Sequence, residues 1–509
     1  MSNRFLKIVV LGAGFASLGV ELAASRLLAP FFGTSLLIWA NLIGVILIYL
    51  SVGYWLGGKW ADRDPRPRTL LSILAGAGFA IGVLPYAAAP VLAWAIPALA
   101  QFNAELGLAS FLGVVVLFAI PVTLLGCVPP FALRLAARDV QTVGTTGGGL
   151  YALSTIGSIL GVYLTVFWMI PTIGTRLTFV AFAAALLLIA LIGLALARDA
   201  IASLVILSLL SAVLGFGFMN RASAIKPLPD VIYETESPYN FIQVIDDNHL
   251  RLLTVNEGQA YQSVYYPNTI LLGGYWDLFL VTPFLTDSVP PRSLLVVGLA
   301  AGTVTKQFAH VYPNIQMDGI EIDPEIVRVG RELFDMREPN LHVIIDDGRA
   351  ALRKNDKQYD VIVVDAYRQP YVPFHLATVE YDQELRAHLT ERGVIAINAA
   401  RTPTDARLVN ALAATLHQVF PTVFLMDYPN DTNTIILASA HPVALQAYRA
   451  RLAQINTAPL NQVAAIAIPN VRVFDSAGLV MTDDKSSVEN LIHSIIFDAT
   501  IFAGENKQP

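Results

Sequence analysis

Between residues 6 and 219 the chain carries seven apolar runs of membrane length, and this repetition restricts the fold more than any other feature. A crossing helix needs about 20 consecutive apolar residues, because hydrocarbon offers no water to the backbone. The runs fall near 6–28, 35–57, 70–89, 106–128, 148–170, 177–197 and 201–219. They predict a multi-span α-helical membrane domain over 1–220, with seven or eight helices, in the cell membrane and in contact with the lipid bilayer. Lys7 and the apolar run after it imitate a secretory signal, but the further spans make this a signal anchor. Only 14% of the residues are charged, against about 25% in soluble domains. The apolar excess lies before residue 220, and the remainder has the composition of an ordinary globular domain.

Positive charge marks cytoplasmic loops. The loop after the second run holds Lys59, Arg63, Arg66 and Arg68, the loop after the fourth holds Arg134 and Arg138, and 29–34 is uncharged. This places the N-terminus inside, and seven crossings then place the C-terminal part outside. The stretch 70–104 has no charged residue and contains Pro85, Pro90 and Pro97, which leaves room for a re-entrant hairpin or an eighth crossing. GGKWADRDPRPR at 57–68 resembles the loop between the second and third helices of major-facilitator transporters, and equally reads as a plain positively charged connector. Glu21 and Arg26 lie inside the first span. Ionisable residues there are functional candidates, and a mutual pair, or Arg26 reaching toward the helix end, is the plainer reading. IVVLGAGFASLG at 8–19 imitates a dinucleotide fingerprint, but the next segment is another span, with no acidic residue where the fingerprint needs one. Its glycines are small residues for close helix packing.

The net charge of -6 and the absence of a Lys/Arg cluster give no basis for nucleic-acid binding. The single cysteine, Cys127, excludes an internal disulfide and a multi-cysteine metal site. No metal is expected.

After residue 226 the texture changes. Short alternating bursts, YNFIQVID and HLRLLTV, flank Asp246-Asp247-Asn248, which reads as a hairpin turn, and predict a small antiparallel β domain over 227–290. Strand-like runs at 294–298, 315–322, 342–345, 361–364 and 394–398 then alternate with helical ones at 300–311 and 324–333, and runs at 422–426 and 434–438 close the series. This alternation predicts an α/β doubly wound, Rossmann-like domain over 291–509.

Ligands in such sheets bind at the carboxyl ends of the strands. The strand ends here are chemically loaded. Gly298 and Gly302 come after the first, where the backbone approaches a ligand beside a helix N-terminus. Glu321 ends the second strand, where a carboxylate can accept both ribose hydroxyls. Asp347 and Gly348 come after the third, and Asp365 ends the fourth.

With these residues in place, the segment from 234 to about 398 resembles the spermidine synthase family of aminopropyltransferases, whose fold is akin to class I methyltransferases. The matching pieces are ETESPYNFIQV, NEGQ, YWD at 275–277, GIEID, DDGRAAL and VIVVDAY. PFHLATVEY and MTDDKSSVENL are similar to the branch of that family fused to a multi-span domain. The resemblance implies decarboxylated S-adenosylmethionine as co-substrate, no permanently bound cofactor, polyamine and nucleoside ligands, and a homodimer. By the same resemblance Gln259 touches the thioether side of the nucleoside, Glu321 holds the ribose and Asp347 the adenine. Asp365 is the base that deprotonates the attacking amine. Tyr275, Asp277 and Tyr367 face the substrate. Two positions depart from the family: Ala301 stands where it has an acid for the donor's ammonium, and Arg368 where it has a second acid. Asp483, Asp484 and Glu489 either restore that charge or cap a helix.

The expected activity is transfer of aminopropyl to a diamine such as putrescine. Its rivals are a methyltransferase, which Ala301 permits by leaving room for a donor that keeps its carboxylate, and a polyamine transporter or sensor whose nucleoside-binding domain is not catalytic. Because the donor is made in the cytoplasm, the C-terminal part is expected there, against the seven-span count. Reporter fusions at Lys226 test this: the expected result is a bright fluorescent-protein fusion and a silent phosphatase fusion, and the reverse pattern refutes the placement.

Overall fold

The computed structural model describes residues 2–33, 36–100, 106–137, 139–220, 224–226, 228–258, 260–287, 289–367, 372–429, 431–475, 477–486, 488 and 491–492. Gln259, Arg368, Glu489 and Arg138, singled out above, lie outside the described residues. The chain divides into two compact units, Met1–Leu228 and Pro229–Pro509.

The first unit is helical: α1 (Asn3–Phe32), α2 (Leu36–Arg63), α3 (Pro67–Ala100), α4 (Leu106–Ala136), α5 (Val143–Leu164), α6 (Ile170–Leu196) and α7 (Ala200–Met219). Among the described residues six stretches are long and apolar enough to cross a membrane, by length and composition. One of them, Val143–Leu196, has 54 residues, which at about 1.5 Å per residue far exceeds the roughly 30 Å of hydrocarbon. It joins α5 to α6 through a π-helical segment, Thr165–Met169, and breaks at Gly174, whose φ of 77° and ψ of 169° are not helical. The uncharged stretch from residue 70 forms a single helix as far as Ala100, so the described residues contain seven helices in this unit and no hairpin within α3.

Close backbone approach holds these helices together. A Cβ on Gly53 would lie 2.3 Å from the Thr123 carbonyl oxygen, and one on Gly57 would lie 2.6 Å from the Cα of Cys127. Thus α2 and α4 touch through main chain. Likewise α1 meets α5, where a Cβ on Gly161 would stand 2.1 Å from the Phe15 carbonyl oxygen. Small residues serve this purpose where surrounding apolar solvent provides no driving force for helix association. Asn41 donates from Nδ2 to Ser110 Oγ across α2 and α4 at 2.9 Å. Arg134 of α4 pairs with Asp62 of α2 at 3.2 Å, and Arg68 of α3 pairs with Asp199, the N-cap of α7, at 3.0 Å. Glu21 and Arg26 do not pair with each other among the described residues, so of the two plainer readings the mutual pair is not formed.

The second unit opens with a four-stranded antiparallel sheet, β1 (Val231–Glu236), β2 (Phe241–Asp247), β3 (Leu250–Val255) and β4 (Tyr261–Tyr265), paired in chain order. The hairpin turn falls on Asn248-His249, one residue later than expected. Both have positive φ, 53° and 72°, as a two-residue turn matching strand twist requires. This sheet is not a free-standing domain. Ile242, Val244, Leu253 and Val255 bury their side chains with Ala301, Ile326, Val329 and Phe334 of the larger layer.

A 3-10 helix, Tyr275–Leu285, leads to the alternating region. Its elements are β5 (Ser293–Val297), α8 (Thr303–Val311), β6 (Gln316–Glu321), α9 (Pro324–Leu333), β7 (Leu341–Ile345), α10 (Gly348–Arg353), β8 (Tyr359–Val364), α11 (Val379–Ala387), β9 (Leu389–Ala400), α12 (Arg407–His417), β10 (Thr422–Asp427), β11 (Asn433–Ser439), α13 (Leu445–Ala453), α14 (Leu460–Asn470) and β12 (Val471–Val473). The sheet order is β12-β10-β11-β9-β8-β5-β6-β7. Strands β5 to β9 are mutually parallel, and β10, β11 and β12 join by antiparallel pairing. The succession β5, β6, β7 runs one way and β8, β9 the other. The carboxyl ends of β5 and β8 therefore flank the switch point where such sheets open a crevice.

Replacing Gly161 by Leu is expected to lower the unfolding temperature of the detergent-solubilised chain markedly. The same change at Gly148, where nothing lies within 4 Å of the added carbon, is expected to leave it nearly unchanged; equal effects would refute the main-chain contact of α1 and α5.

Candidate active site

The crevice at the switch point is a cavity of about 280 Å³. Gly298, Glu321, Asp347, Gly348 and Asp365, expected from the strand-end rule, all line it, together with Tyr367, expected from the family resemblance. Gly298 carries a φ of +88°, and a Cβ there would stand 2.4 Å from the carbonyl oxygen of Asp365. Only glycine lets β5 turn away this close to β8.

Glu321 is buried at the end of β6. Its Oε2 accepts the Ala300 N–H at 2.9 Å and its Oε1 accepts the Asp323 N–H at 3.0 Å. Ala300 stands at φ 48° to present that N–H. Burial pushes the Glu321 carboxyl up to about 7, with the two backbone donors opposing. Asp347 caps α10, accepting from the Arg349 and Ala350 N–H groups at 3.1 and 3.0 Å, and its Oδ2 meets His375 Nε2 at 2.9 Å. Burial acts upward on this carboxyl too, but the Ala350 N–H and His375 outweigh it and hold Asp347 below the usual range.

Asp365 is half-buried at the end of β8. Asn398 Nδ2 donates to Oδ1 at 2.8 Å and the Tyr275 hydroxyl donates to Oδ2 at 3.2 Å. Burial pushes this carboxyl up to about 6, and the two hydrogen bonds moderate the rise. Tyr275 stays a donor, since burial and then the Asp365 charge raise its hydroxyl well above its ordinary value. The Tyr367 hydroxyl donates to the Asn398 carbonyl and accepts the Ala400 N–H, both at 3.0 Å, which anchors its ring to β9.

Other expected residues take structural positions. Gly302, at φ +90°, turns the chain into α8 with its α-carbon against Met336 and is not part of the cavity lining. Asp277 is 2% exposed and accepts from the Leu272 N–H at 3.0 Å, the Gly273 N–H at 2.9 Å and Gln307 Nε2 at 2.6 Å; its oxygens hold a loop. Asp483 forms a bidentate pair with Arg349, at 2.8 and 2.9 Å, and accepts from the Thr378 hydroxyl. That contact ties residues 481–485 to α10, outside the cavity, and Asp484 is exposed beside it. Ala301 is 1% exposed within the apolar contact between α9 and the small sheet.

Sequence reasoning passed over Asn240, His375 and Asn398. Asn398 ends the fifth strand and was open to the same rule as its neighbours. Asn240 and His375 carry no such signal: they line the cavity only because the tip of the small sheet and the segment after β8 fold over it.

Substituting Ala for Gly298 is expected to destabilise the chain by more than about 1 kcal/mol. Gly273→Ala, at φ +75° with only the Tyr428 hydroxyl at 3.9 Å, separates backbone strain from collision. Thermal unfolding of the two variants gives the comparison, and equal losses would mean that contact with Asp365 is not the cause.

Residues 280–446 match the spermine/spermidine synthase domain. Over 308 residues the chain is 32% identical to a probable polyamine aminopropyl transferase of Bifidobacterium longum, covering 57% of this chain and 66% of that protein, just under two thirds of its length. It is 28% identical over 216 residues to a polyamine aminopropyltransferase of Vibrio vulnificus, covering 41% of this chain and 71% of that one. Among solved structures, a spermidine synthase in complex with the transition-state analogue AdoDATO aligns with a TM-score of 0.40 and 19% identity, over 47% of this chain and 85% of that one. Residues 280–446 of the C-terminal unit thus carry a spermine/spermidine synthase domain, the part of the chain that is similar to these polyamine aminopropyltransferases.

Proposed function

We propose that the C-terminal unit transfers an aminopropyl group from decarboxylated S-adenosylmethionine to a diamine such as putrescine, in a protein anchored in the membrane by its N-terminal unit. The amine nitrogen attacks the propyl carbon bonded to the sulfonium. The carbon–sulfur bond breaks, its electron pair stays on sulfur, and methylthioadenosine leaves as a neutral thioether. The attacking nitrogen loses a proton to Asp365. Glu321 binds the ribose hydroxyls and Asp347 the exocyclic amine of adenine, between the apolar side chains of Ile320, Ile322 and Leu376.

The observation that carries this reading is Asp365, a carboxyl lifted to about 6 and fixed by Asn398 and Tyr275 in one cavity with Glu321 and Asp347. A general base works best when its pKa lies near the operating pH.

A methyltransferase is the second reading, and Ala301 supports it. The acid that the family resemblance implies for a donor ammonium is missing at that position, and Ala301 itself packs in the apolar contact with the small sheet rather than lining the cavity. The full chain in detergent distinguishes the two, because ligand in excess stabilises the fold that binds it. Decarboxylated S-adenosylmethionine is expected to raise the unfolding temperature and to be consumed with putrescine. Stabilisation by the intact donor alone would replace the aminopropyltransferase with the methyltransferase, and consumption of neither donor would favour a non-catalytic binding domain.

The rate constant kcat/KM is expected to rise with pH through about 6 as Asp365 ionises, and Asp365→Asn is expected to abolish turnover while nucleoside binding persists. The stability effect has the opposite sign. A carboxyl whose folded value exceeds its unfolded one, about 3.9, stabilises the fold below the unfolded value and loses that contribution as pH rises through about 6. The Asn variant should therefore unfold at or above the wild-type temperature at pH 8, with no such advantage at pH 4. Near wild-type turnover in this variant would remove Asp365 from the chemistry.

A further inference from the structure

Glu21 has no part in the site above. It lies about 27 Å along α1 from Asn3, at about 1.5 Å per residue, well inside the span, and is 9% exposed. No hydrogen bond or ion pair reaches its carboxylate among the described residues, Arg26 included. Such a group is costly to leave unpaired in an apolar medium.

Thr165 is the second unusual residue. It is fully buried at the first position of the π-helical segment, and its hydroxyl has no hydrogen-bond partner. Three other helical threonines of this unit donate to the carbonyl four residues back: Thr155 to Tyr151 at 3.0 Å, Thr172 to Trp168 at 2.5 Å and Thr178 to Gly174 at 2.8 Å. Thr165 does not, and π turns recur at functional sites.

Helix register brings the two together. Gly157 faces Leu11 and Gly161 faces Phe15 and Gly19, so α1 and α5 run parallel. Ser158 Oγ donates to the Gly14 carbonyl at 3.0 Å. Seven residues on, nearly two turns later in each helix, the same seam carries Glu21 and Thr165, and α1 does touch the π-helical segment.

We propose that Glu21 and Thr165 form a binding site inside the membrane unit for one small positive charge, an alkali cation or a primary ammonium. The carboxylate supplies the compensating charge and two oxygens, and the free hydroxyl supplies a third; hard cations and ammonium groups both take oxygen partners. This site stands apart from the nucleoside cavity and does not depend on the activity proposed for it.

The test uses the full chain in detergent at pH 8, with choline chloride holding ionic strength constant. Unfolding temperature is followed against sodium chloride and, separately, butylammonium chloride, for wild type, Glu21→Gln and Thr165→Val. One cation is expected to raise the wild-type temperature saturably. Glu21→Gln is expected to lose that shift, and Thr165→Val to need about tenfold more cation, as for loss of one polar partner. The responsive salt identifies the cation, and any butylammonium bound at the nucleoside cavity survives in Glu21→Gln. Equal shifts in wild type and Glu21→Gln, or none in either, overturn the proposal. If Glu21→Gln does not fold, an unchanged concentration dependence in Thr165→Val overturns it instead.

Discussion

The contact between Gly298 and the backbone of Asp365 is the constraint on which the C-terminal unit's chemistry depends. With no side chain on Gly298, the ends of β5 and β8 close to a distance that any Cβ would forbid. The same turn puts Ala300 at positive φ, so that its N–H reaches Glu321 on the next strand. Asp365 in turn meets Asn398 on β9 and Tyr275 from the 3-10 helix. One missing methyl group thus sets the spacing of two carboxylates, Glu321 and Asp365, on two different strands.

Those carboxylates are not equivalent, and the difference comes from their donors. Asp347 accepts two N–H groups of a helix start and a histidine nitrogen, and stays readily ionised. Glu321 and Asp365 are held by fewer or weaker donors against a stronger burial effect, and their affinity for protons rises toward neutrality. An anion that reads a base edge and a carboxyl that accepts a proton during reaction are different tasks. In the function proposed above these are the tasks of Asp347 and Asp365, and environment rather than residue type separates the two.

In the N-terminal unit, the organising element is again the small residue, for another reason. Glycines at 53, 57, 157 and 161 bring helix backbones into contact, while some large apolar side chains turn outward, as Trp55 and Phe167 do at 60% and 74% exposure. Against that background, a buried carboxylate and a buried hydroxyl without partners stand out as departures from the unit's own rule.

Periodicity and length in the sequence alone determined the seven apolar helices, the alternating strands and helices, and the strand ends where Glu321, Asp347 and Asp365 sit, because each of these arises from local spacing. The packing of the small sheet against α9, the loop-holding role of Asp277, the pairing of Asp483 with Arg349 and the entry of Asn240 and His375 into the cavity were decided only by tertiary structure. A carboxylate reads alike in sequence whether it faces a ligand or three backbone and side-chain donors, and which of these it meets depends on chain segments 30 to more than 100 residues away. The break at Gly174 and the π-helical turn at Thr165 belong to the same class: composition announces a long apolar run, and only packing against neighbouring helices fixes where it bends.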